Sequence, residues 1–131
     1  MDTLHIIALT HRKLELDEIG KFHIEDTLLE SRLTKVKKEL QLSEIMYLST
    51  CNRVEIIFTT KQDLSINFLT NLFSCFKDDL NTEEINRIIN LAEIYDSKKA
   101  VQHIFKVAAS LDSLVIGERE IITQVRKSFE V

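Results

Sequence analysis

Hydrophobic and polar positions along the chain predict short strands separated by amphipathic helices. Apolar runs too short for helices indicate strands at residues 5–9, 45–48, 54–58 and 91–95. Apolar residues at helical spacing, with polar caps before them, predict helices that begin near residue 26, at Asp63 or Ser65, at Asn81 or Thr82, at Asp96 or Ser97, and after Gly117. This order favours a small α+β sandwich with an antiparallel sheet, followed by extra helices.

A polar corner, residues 49–53, joins the second and third predicted strands. It contains no glycine, so the sequence alone does not predict whether a standard two-residue hairpin turn joins the strands. Cys51 lies in this corner, where a strand end can hold a side chain firmly and still leave it accessible. The guanidinium of Arg53 nearby would favour the thiolate over a thiol whose ordinary pKa is about 8.5. Cys51 is therefore a candidate nucleophile, with a buried packing cysteine as the alternative.

Cys75 has different neighbours from those of Cys51. It lies beside Phe73 and Phe76 on a predicted amphipathic helix. Cysteine in such surroundings behaves as a small hydrophobic residue. Cys75 is therefore expected to pack in the core and to take no part in chemistry.

The composition limits the class of protein. With 131 residues, 44% of them hydrophobic and 29% charged, the chain suits one globular domain over residues 1–131, with residues from about 97 on as a helical extension. Its net charge of −4 gives no overall basic field for nucleic acid, so any RNA contact must be local. The sequence has no secretory leader and no apolar run long enough to span a membrane, which predicts reduced cysteines and a cytoplasmic protein.

Two further groups of residues are candidates for chemistry. His103 lies near the edge of an apolar helix face, where it could orient a reacting group or transfer a proton, or simply complete a hydrogen bond. Gly117 and Glu118 follow a predicted helix and could form a polar shelf for a charged ligand. The plainer interpretation is a turn that needs glycine, followed by a carboxylate in the first turn of the next helix.

Two common cofactor sites are absent from the sequence pattern. His5, His11 and His23 have no zinc-ligand spacing with either cysteine, which argues against a structural zinc site. Glycine occurs only at positions 20 and 117, so the chain has no glycine-rich loop for binding a dinucleotide in the Rossmann manner.

Three stretches together resemble the glutamyl-tRNA reductase family. Residues 48–55, LSTCNRVE, are similar to the family's very specific active-site signature. Residues 100–108, AVQHIFKVA, continuing through residues 111–118, LDSLVIGE, to Gln124, are similar to a second motif. Residues 8–12, ALTHR, are a weaker third match. In order and spacing the resemblance covers essentially the whole chain.

The resemblance implies a role for each matching residue. Cys51 matches the nucleophile that attacks the ester joining glutamate to tRNA, and the resulting thioester is reduced by NADPH to glutamate-1-semialdehyde, in the first step of the five-carbon route to tetrapyrroles. His103 matches the family's active-site histidine. The positions that match the family's glutamyl pocket are Thr50, Arg53, Ser113, Glu118 and Gln124. A guanidinium such as Arg53 suits the side-chain carboxylate of the substrate, and a carboxylate such as Glu118 suits its α-ammonium.

The resemblance also implies a fold, a cofactor and partners. We expect a ferredoxin-like antiparallel sheet with helices on one face and additional C-terminal helices. NADPH is expected on a separate domain that, like a dimerising helix, lies outside this chain, so the chain is expected to be a catalytic N-terminal fragment without the reductase step. The expected partners are glutamyl-tRNA(Glu), a second copy in the full-length homodimer, and glutamate-1-semialdehyde aminomutase as recipient of the product, with no membrane partner.

Several positions depart from the family pattern. Arg119 and Glu120 stand where the family usually has proline and glutamine, and Ser110 and Thr123 stand in place of glycines. These departures leave the nucleophile intact. They change the expected shape of the shelf around Glu118.

Two other classes of function fit parts of the pattern. A non-catalytic ferredoxin-like binding module would leave Cys51 unreactive towards alkylating reagents at neutral pH. A small cysteine hydrolase would need a base and an oxyanion site near Cys51, and it would release free glutamate without NADPH. Acyl transfer alone accounts for Cys51, His103 and the Gly117-Glu118 pair together.

Overall fold

A computed structural model describes residues 2–114 of the chain, and the side chains of residues 2–106. The elements of this part are β1 (Thr3–Thr10), α1 (Leu16–Gly20), α2 (Asp26–Glu39), β2 (Glu44–Thr50), β3 (Arg53–Thr60), α3 (Ile66–Phe76), α4 (Thr82–Leu91), β4 (Glu93–Asp96) and α5 (Ser97–Leu114). All four predicted strands are present, but the fourth begins at Glu93 and not at Leu91, because Leu91 ends α4 and Ala92 is its C-cap. The first three extend further at both ends, into polar residues that include Glu44, Arg53 and several threonines, a residue type that favours strands.

The four strands form one antiparallel sheet in the order β2-β3-β1-β4. β1 and β3 are the central strands, with Ile7 opposite Ile56, and β4 adds to the free edge of β1 with Ile94 opposite Ile7. The predicted α+β class with an antiparallel sheet is therefore confirmed. The pairing also defines the two ends of the sheet. Thr10 pairs with Arg53 at the hairpin end of β1, and His5 pairs with Asp96 towards the opposite end.

One face of the sheet packs against helices α1 to α4. Alternate residues of the central strands point into this layer and are almost completely buried; they are Ile7, Leu9, Val54, Ile56 and Phe58. Tyr47 of β2 ties the layer to the loop before α2, because its hydroxyl donates to the carbonyl of Phe22 at 3.0 Å and accepts from the amide of Ile24 at 3.1 Å. Two buried backbone groups are thereby satisfied, which an apolar side chain at this position could not do.

The helix starts follow the predicted caps. The Ser65 side chain accepts a hydrogen bond from the amide of Phe68 at the start of α3, and Asn81 forms a capping box with Glu84 at the start of α4. Helix α1 was not predicted, since its five residues bury only Ile19 and give no periodic signal.

Helix α5 lies on the opposite face of the sheet from the other helices. Its completely buried Ala100 packs in a second apolar cluster with Ile6 and Ile57. The expectation of helices on one face thus holds for α1 to α4, and α5 covers the other face. The last predicted helix, after Gly117, lies outside the described residues. Among those described, no helix is long and apolar enough to cross a membrane.

The corner between β2 and β3 is a two-residue hairpin connection. Thr50 pairs with Arg53, so that only Cys51 and Asn52 form the turn. The sequence pattern left such a turn open because the corner has no glycine, and the structure shows that the turn forms. Positive φ angles among the described non-glycine residues occur only at Gln41 and Ser97, so the turn does not use the left-handed backbone that favours glycine.

Candidate active site

The thiol of Cys51 stands at the tip of the β2–β3 hairpin and is exposed to solvent. The turn is held by the Thr50 hydroxyl, which donates to the Asn52 side-chain oxygen at 3.0 Å, and by the His11 amide, which donates to the Asn52 carbonyl at 3.1 Å. The thiol lines an open pocket of about 590 Å³ with His11, Arg12 and Lys13 among its walls. Cys51 is therefore fixed in backbone position and accessible, as a nucleophile must be.

Cys75 has the opposite environment. Its side chain is buried, and its thiol donates to the carboxylate of Glu39 at 3.2 Å. Burial, together with this carboxylate, raises the pKa of the Cys75 thiol to about 11. The expectation of a packing cysteine is confirmed for Cys75, and the exposure of Cys51 removes the packing alternative there.

A buried carboxylate holds the predicted histidine on the α5 face of the sheet. Glu55 of β3 is 1% exposed, and its Oε1 lies 2.5 Å from Nε2 of His103, which is itself buried. Tyr95 stacks against the face of the imidazole, with ring centroids 4.1 Å apart. The imidazole of His103 is thus fixed in orientation by a charged partner and an aromatic ring.

The guanidinium of Arg53 shares the same carboxylate. Its Nη1 lies 3.5 Å from Oε2 of Glu55, a long contact through one nitrogen, and its side chain is 19% exposed. The remaining donors of the guanidinium are free of Glu55 and can meet a ligand. Glu55 therefore orients Arg53 and His103 towards one region.

That region is a second pocket, of about 420 Å³, which we call the basic pocket. It is lined by Arg12, Arg53, Tyr95, Lys99, Gln102, His103 and Lys106. Burial and a hydrogen bond to Glu93 raise the pKa of Tyr95, and the charge of Arg12 opposes this rise. Arg12 also lines the pocket of Cys51, so the two pockets share a wall.

The predicted site residues are brought together only in part. Thr50, Cys51 and Arg53 follow one another around the hairpin, and Arg53 shares its pocket with His103. Cys51 and His103 line different pockets, which meet at Arg12. The structure describes the backbone of Ser113 within α5 but not its side chain, and Glu118 and Gln124 lie outside the described residues.

Sequence reasoning missed two residues of this site. Glu55 lies within the signature at residues 48–55, but no role was assigned to it. The available signal was a carboxylate inside the apolar run of β3, since an ionised residue on a central strand is almost never buried without a partner. Arg12 gave no comparable signal, because its place beside both pockets depends on the pairing of Thr10 with Arg53.

Comparison with known proteins decides the family. A family model described as Glutamyl-tRNAGlu reductase, N-terminal domain, matches residues 7–131. The chain belongs to the glutamyl-tRNA reductase N-terminal domain family.

Individual relatives agree with this family assignment. The chain is 32% identical over 134 residues to glutamyl-tRNA reductase of Thermodesulfovibrio yellowstonii, covering 98% of this chain and 31% of that protein. It is 32% identical over 126 residues to that of Bacillus pumilus, covering 96% and 27%. The solved glutamyl-tRNA reductase of Methanopyrus kandleri is similar in structure, with a TM-score of 0.61 at 27% identity, over 96% of this chain and 27% of that one. The chain thus spans less than a third of the length of these relatives.

Selective alkylation tests the contrast between the two cysteines of this family member. At pH 8, three units below its pKa, about one Cys75 side chain in a thousand is a thiolate, and the residue is also buried. We expect iodoacetamide to modify Cys51 completely in the folded chain before Cys75 reacts, as measured by peptide mass spectrometry. Equal modification of both cysteines in urea serves as the control, and an unreactive Cys51 in the folded chain would favour the non-catalytic binding module.

Replacement of Glu55 tests whether its carboxylate organises the site. Glu55→Gln keeps the shape but leaves His103 and Arg53 without their buried anion, so we expect a loss of about 3 kcal/mol in the free energy of unfolding in urea. Glu44→Gln, on the exposed start of β2, is the matched control and should change it by less than about 0.5 kcal/mol. A stability of the Glu55→Gln chain equal to that of this control would contradict the structural role of the carboxylate.

Proposed function

We propose that this chain performs the acyl-transfer step of a glutamyl-tRNA reductase, with Cys51 as the acceptor of the glutamyl group. The observation that carries the proposal is an exposed thiol, fixed at a hairpin tip, beside a pocket lined by His103 and Arg53, both of which contact the buried Glu55 behind it. The names of the relatives supply the substrate, glutamyl-tRNA. The acceptor role of Cys51 is our inference from its exposure and position.

The proposed step is a substitution at the ester carbonyl. The Cys51 sulfur, as thiolate, attacks the carbonyl carbon, and a new carbon–sulfur bond forms. The bond between that carbon and the ribose oxygen then breaks, and the ribose oxygen leaves with its electron pair and takes a proton. The products are a glutamyl thioester on Cys51 and free tRNA. No metal is needed, since an aminoacyl ester is already activated.

Residues of the basic pocket have the properties needed to hold the glutamyl group. The donors of Arg53 that do not contact Glu55 can bind the side-chain carboxylate of the substrate through two parallel hydrogen bonds. We further propose that Glu118 meets the α-ammonium, and that Thr50, Ser113 and Gln124 complete the pocket. Since Glu55 engages Nε2 of His103, the Nδ1 atom of the ring is the one left to exchange a proton with the substrate or a water.

The reduction that follows acyl transfer is not assigned to these residues. The resemblance to the family implies NADPH as reductant, and this dinucleotide would need a close backbone approach to its phosphates. Gly20 ends α1, and a Cβ atom built there meets nothing within 4 Å, so it provides no tight phosphate turn. Gly117 is the one other glycine in the sequence. We propose that NADPH is held elsewhere in the full-length protein, that this protein is a dimer, and that its product passes to glutamate-1-semialdehyde aminomutase.

The fold supports a more specific class than α+β. We propose a ferredoxin-like core, since the order strand, helix, strand, strand, helix, strand and the sheet order β2-β3-β1-β4 are those of that fold. Helix α4 and the short α1 are additions to it. Both cysteines are free thiols, in keeping with a cytoplasmic protein.

Intact-mass spectrometry tests the proposed acceptor directly. After the chain is mixed with glutamyl-tRNA, we expect one glutamyl adduct on the wild-type protein and none on Cys51→Ser. The adduct should disappear with hydroxylamine, which cleaves thioesters. An adduct that survives the Cys51→Ser change would refute the acceptor role, and rapid release of free glutamate by the wild-type chain would instead favour a cysteine hydrolase.

Substitution of Arg53 tests recognition of the glutamyl carboxylate. Arg53→Lys keeps the charge but loses the two-pronged geometry, so we expect roughly ten- to a hundred-fold slower acylation by a glutamyl ester, as for a lost charge-assisted hydrogen bond. Acylation by the corresponding glutaminyl ester, which lacks the carboxylate, should change much less. Full activity of Arg53→Lys towards the glutamyl ester would contradict the bidentate contact.

A further inference from the structure

The outer wall of the basic pocket is formed by one face of α5. Lys99, Gln102 and Lys106 follow one another at spacings of three and four residues, which places them in one row along the helix, and all three side chains are exposed. Between Lys99 and Lys106 the helix rises by about 10 Å at ~1.5 Å per residue. The two ammonium groups can therefore meet two different groups of a ligand.

The charge of this region differs in sign from that of the whole chain. The chain has a net charge of −4, yet two arginines and two lysines line the basic pocket, and no carboxylate among the described side chains of residues 2–106 lines it. Two carboxylates lie behind this wall: Glu55, which is 1% exposed and engaged by His103 and Arg53, and Glu93, which accepts a hydrogen bond from the hydroxyl of Tyr95. Such a local concentration of cations attracts a ligand with several negative charges. One glutamyl carboxylate accounts for Arg53 and leaves three cations, Arg12, Lys99 and Lys106.

The course of α5 places this row on a path towards the nucleophile. β4 ends at Asp96, which pairs with His5, and α5 then runs back across the sheet so that His103 meets Glu55. Lys106 lies three residues beyond His103, about 4.5 Å nearer to the hairpin end of the sheet. Arg12, which lines both pockets, continues the path to Cys51.

We propose that Lys99, Lys106 and Arg12 bind backbone phosphates of the single-stranded 3′ end of the tRNA. This inference rests on the proposed function, which places the ester at Cys51, so that the nucleotides next to the ester must leave across a neighbouring surface. The row of cations beside the basic pocket has a fitting charge and lies on the path from Cys51. Phosphate contacts position an RNA without reading its sequence, and long, exposed lysines suit that task.

The test uses the 131-residue chain and compares Lys99→Gln/Lys106→Gln with the wild type. We expect the double variant to bind deacylated tRNA roughly ten-fold more weakly at low salt. The slope of log affinity against log salt should fall by about 1.4, the value for two phosphates of a single strand. Lys98→Gln, an exposed neighbour on α5 that does not line the basic pocket, is the matched control and should leave affinity and slope unchanged. An unchanged affinity in the double variant, or an equal loss in the control, overturns the proposal.

A second measurement separates this proposal from the proposed function. A p-nitrophenyl ester of glutamate carries the same acyl group without phosphates. Acylation by glutamyl-tRNA should suffer at least ten-fold more from the double substitution than acylation by this ester, and equal losses overturn the phosphate assignment. If Cys51 accepts no acyl group from either substrate, the proposed function fails, while tRNA affinity and its salt slope still decide the phosphate site.

The phosphates of a dinucleotide such as NADPH could bind the same row of cations as the phosphates of tRNA. NADPH is therefore titrated against the tRNA complex of the wild-type chain. We expect no displacement of tRNA at NADPH concentrations that saturate a dinucleotide site. Displacement that is lost in Lys99→Gln/Lys106→Gln would assign the row to the dinucleotide and overturn its assignment to RNA.

Discussion

The buried carboxylate of Glu55 is the interaction on which the α5 side of the molecule depends. A carboxylate that is 1% exposed on a central strand is stable there only if its charge is compensated. His103 provides one partner from α5 and Arg53 the other from its own strand. One anion therefore couples the docking of a helix to the orientation of both groups that face the basic pocket, so that folding and site geometry are set by the same contact.

The β2–β3 hairpin exposes the thiol of Cys51 while its paired strands hold the backbone in place. A nucleophile in a long loop would lose orientation, and one inside a strand would be covered by the next element. Two residues between paired Thr50 and Arg53 leave Cys51 at the surface while the ladder fixes its backbone. Cys75, in contrast, is buried beside Glu39, and both effects raise the pKa of its thiol to about 11. The reactive thiolate form of Cys75 is therefore scarce.

The positive charge of the basic pocket lies on one side of the sheet, and the large core lies on the other. Helices α1 to α4 cover one face and build the large core, and α5 on the other face carries Lys99 and Lys106 along the rim of the basic pocket. A chain with negative net charge can thus present a local cationic surface. The net charge is the sum over all residues, whereas a bound ligand interacts with the charges nearest to it.

The sequence by itself determined the strands, most helix starts and the family. Apolar runs and caps such as Ser65 and Asn81 depend on residues close together in the chain, where pattern and propensity act directly. It also singled out Cys51, Arg53 and His103 as candidates.

Only the tertiary structure decided which of these residues meet. Glu55 contacts His103 across 48 positions of sequence, and Arg12 reaches both pockets through the pairing of β1 with β3. The side of the sheet that α5 occupies, and the two-residue turn at Cys51 and Asn52, were likewise beyond the sequence pattern. These features depend on strand register and helix docking, which arise from contacts between distant segments and leave no periodic signal in either segment alone.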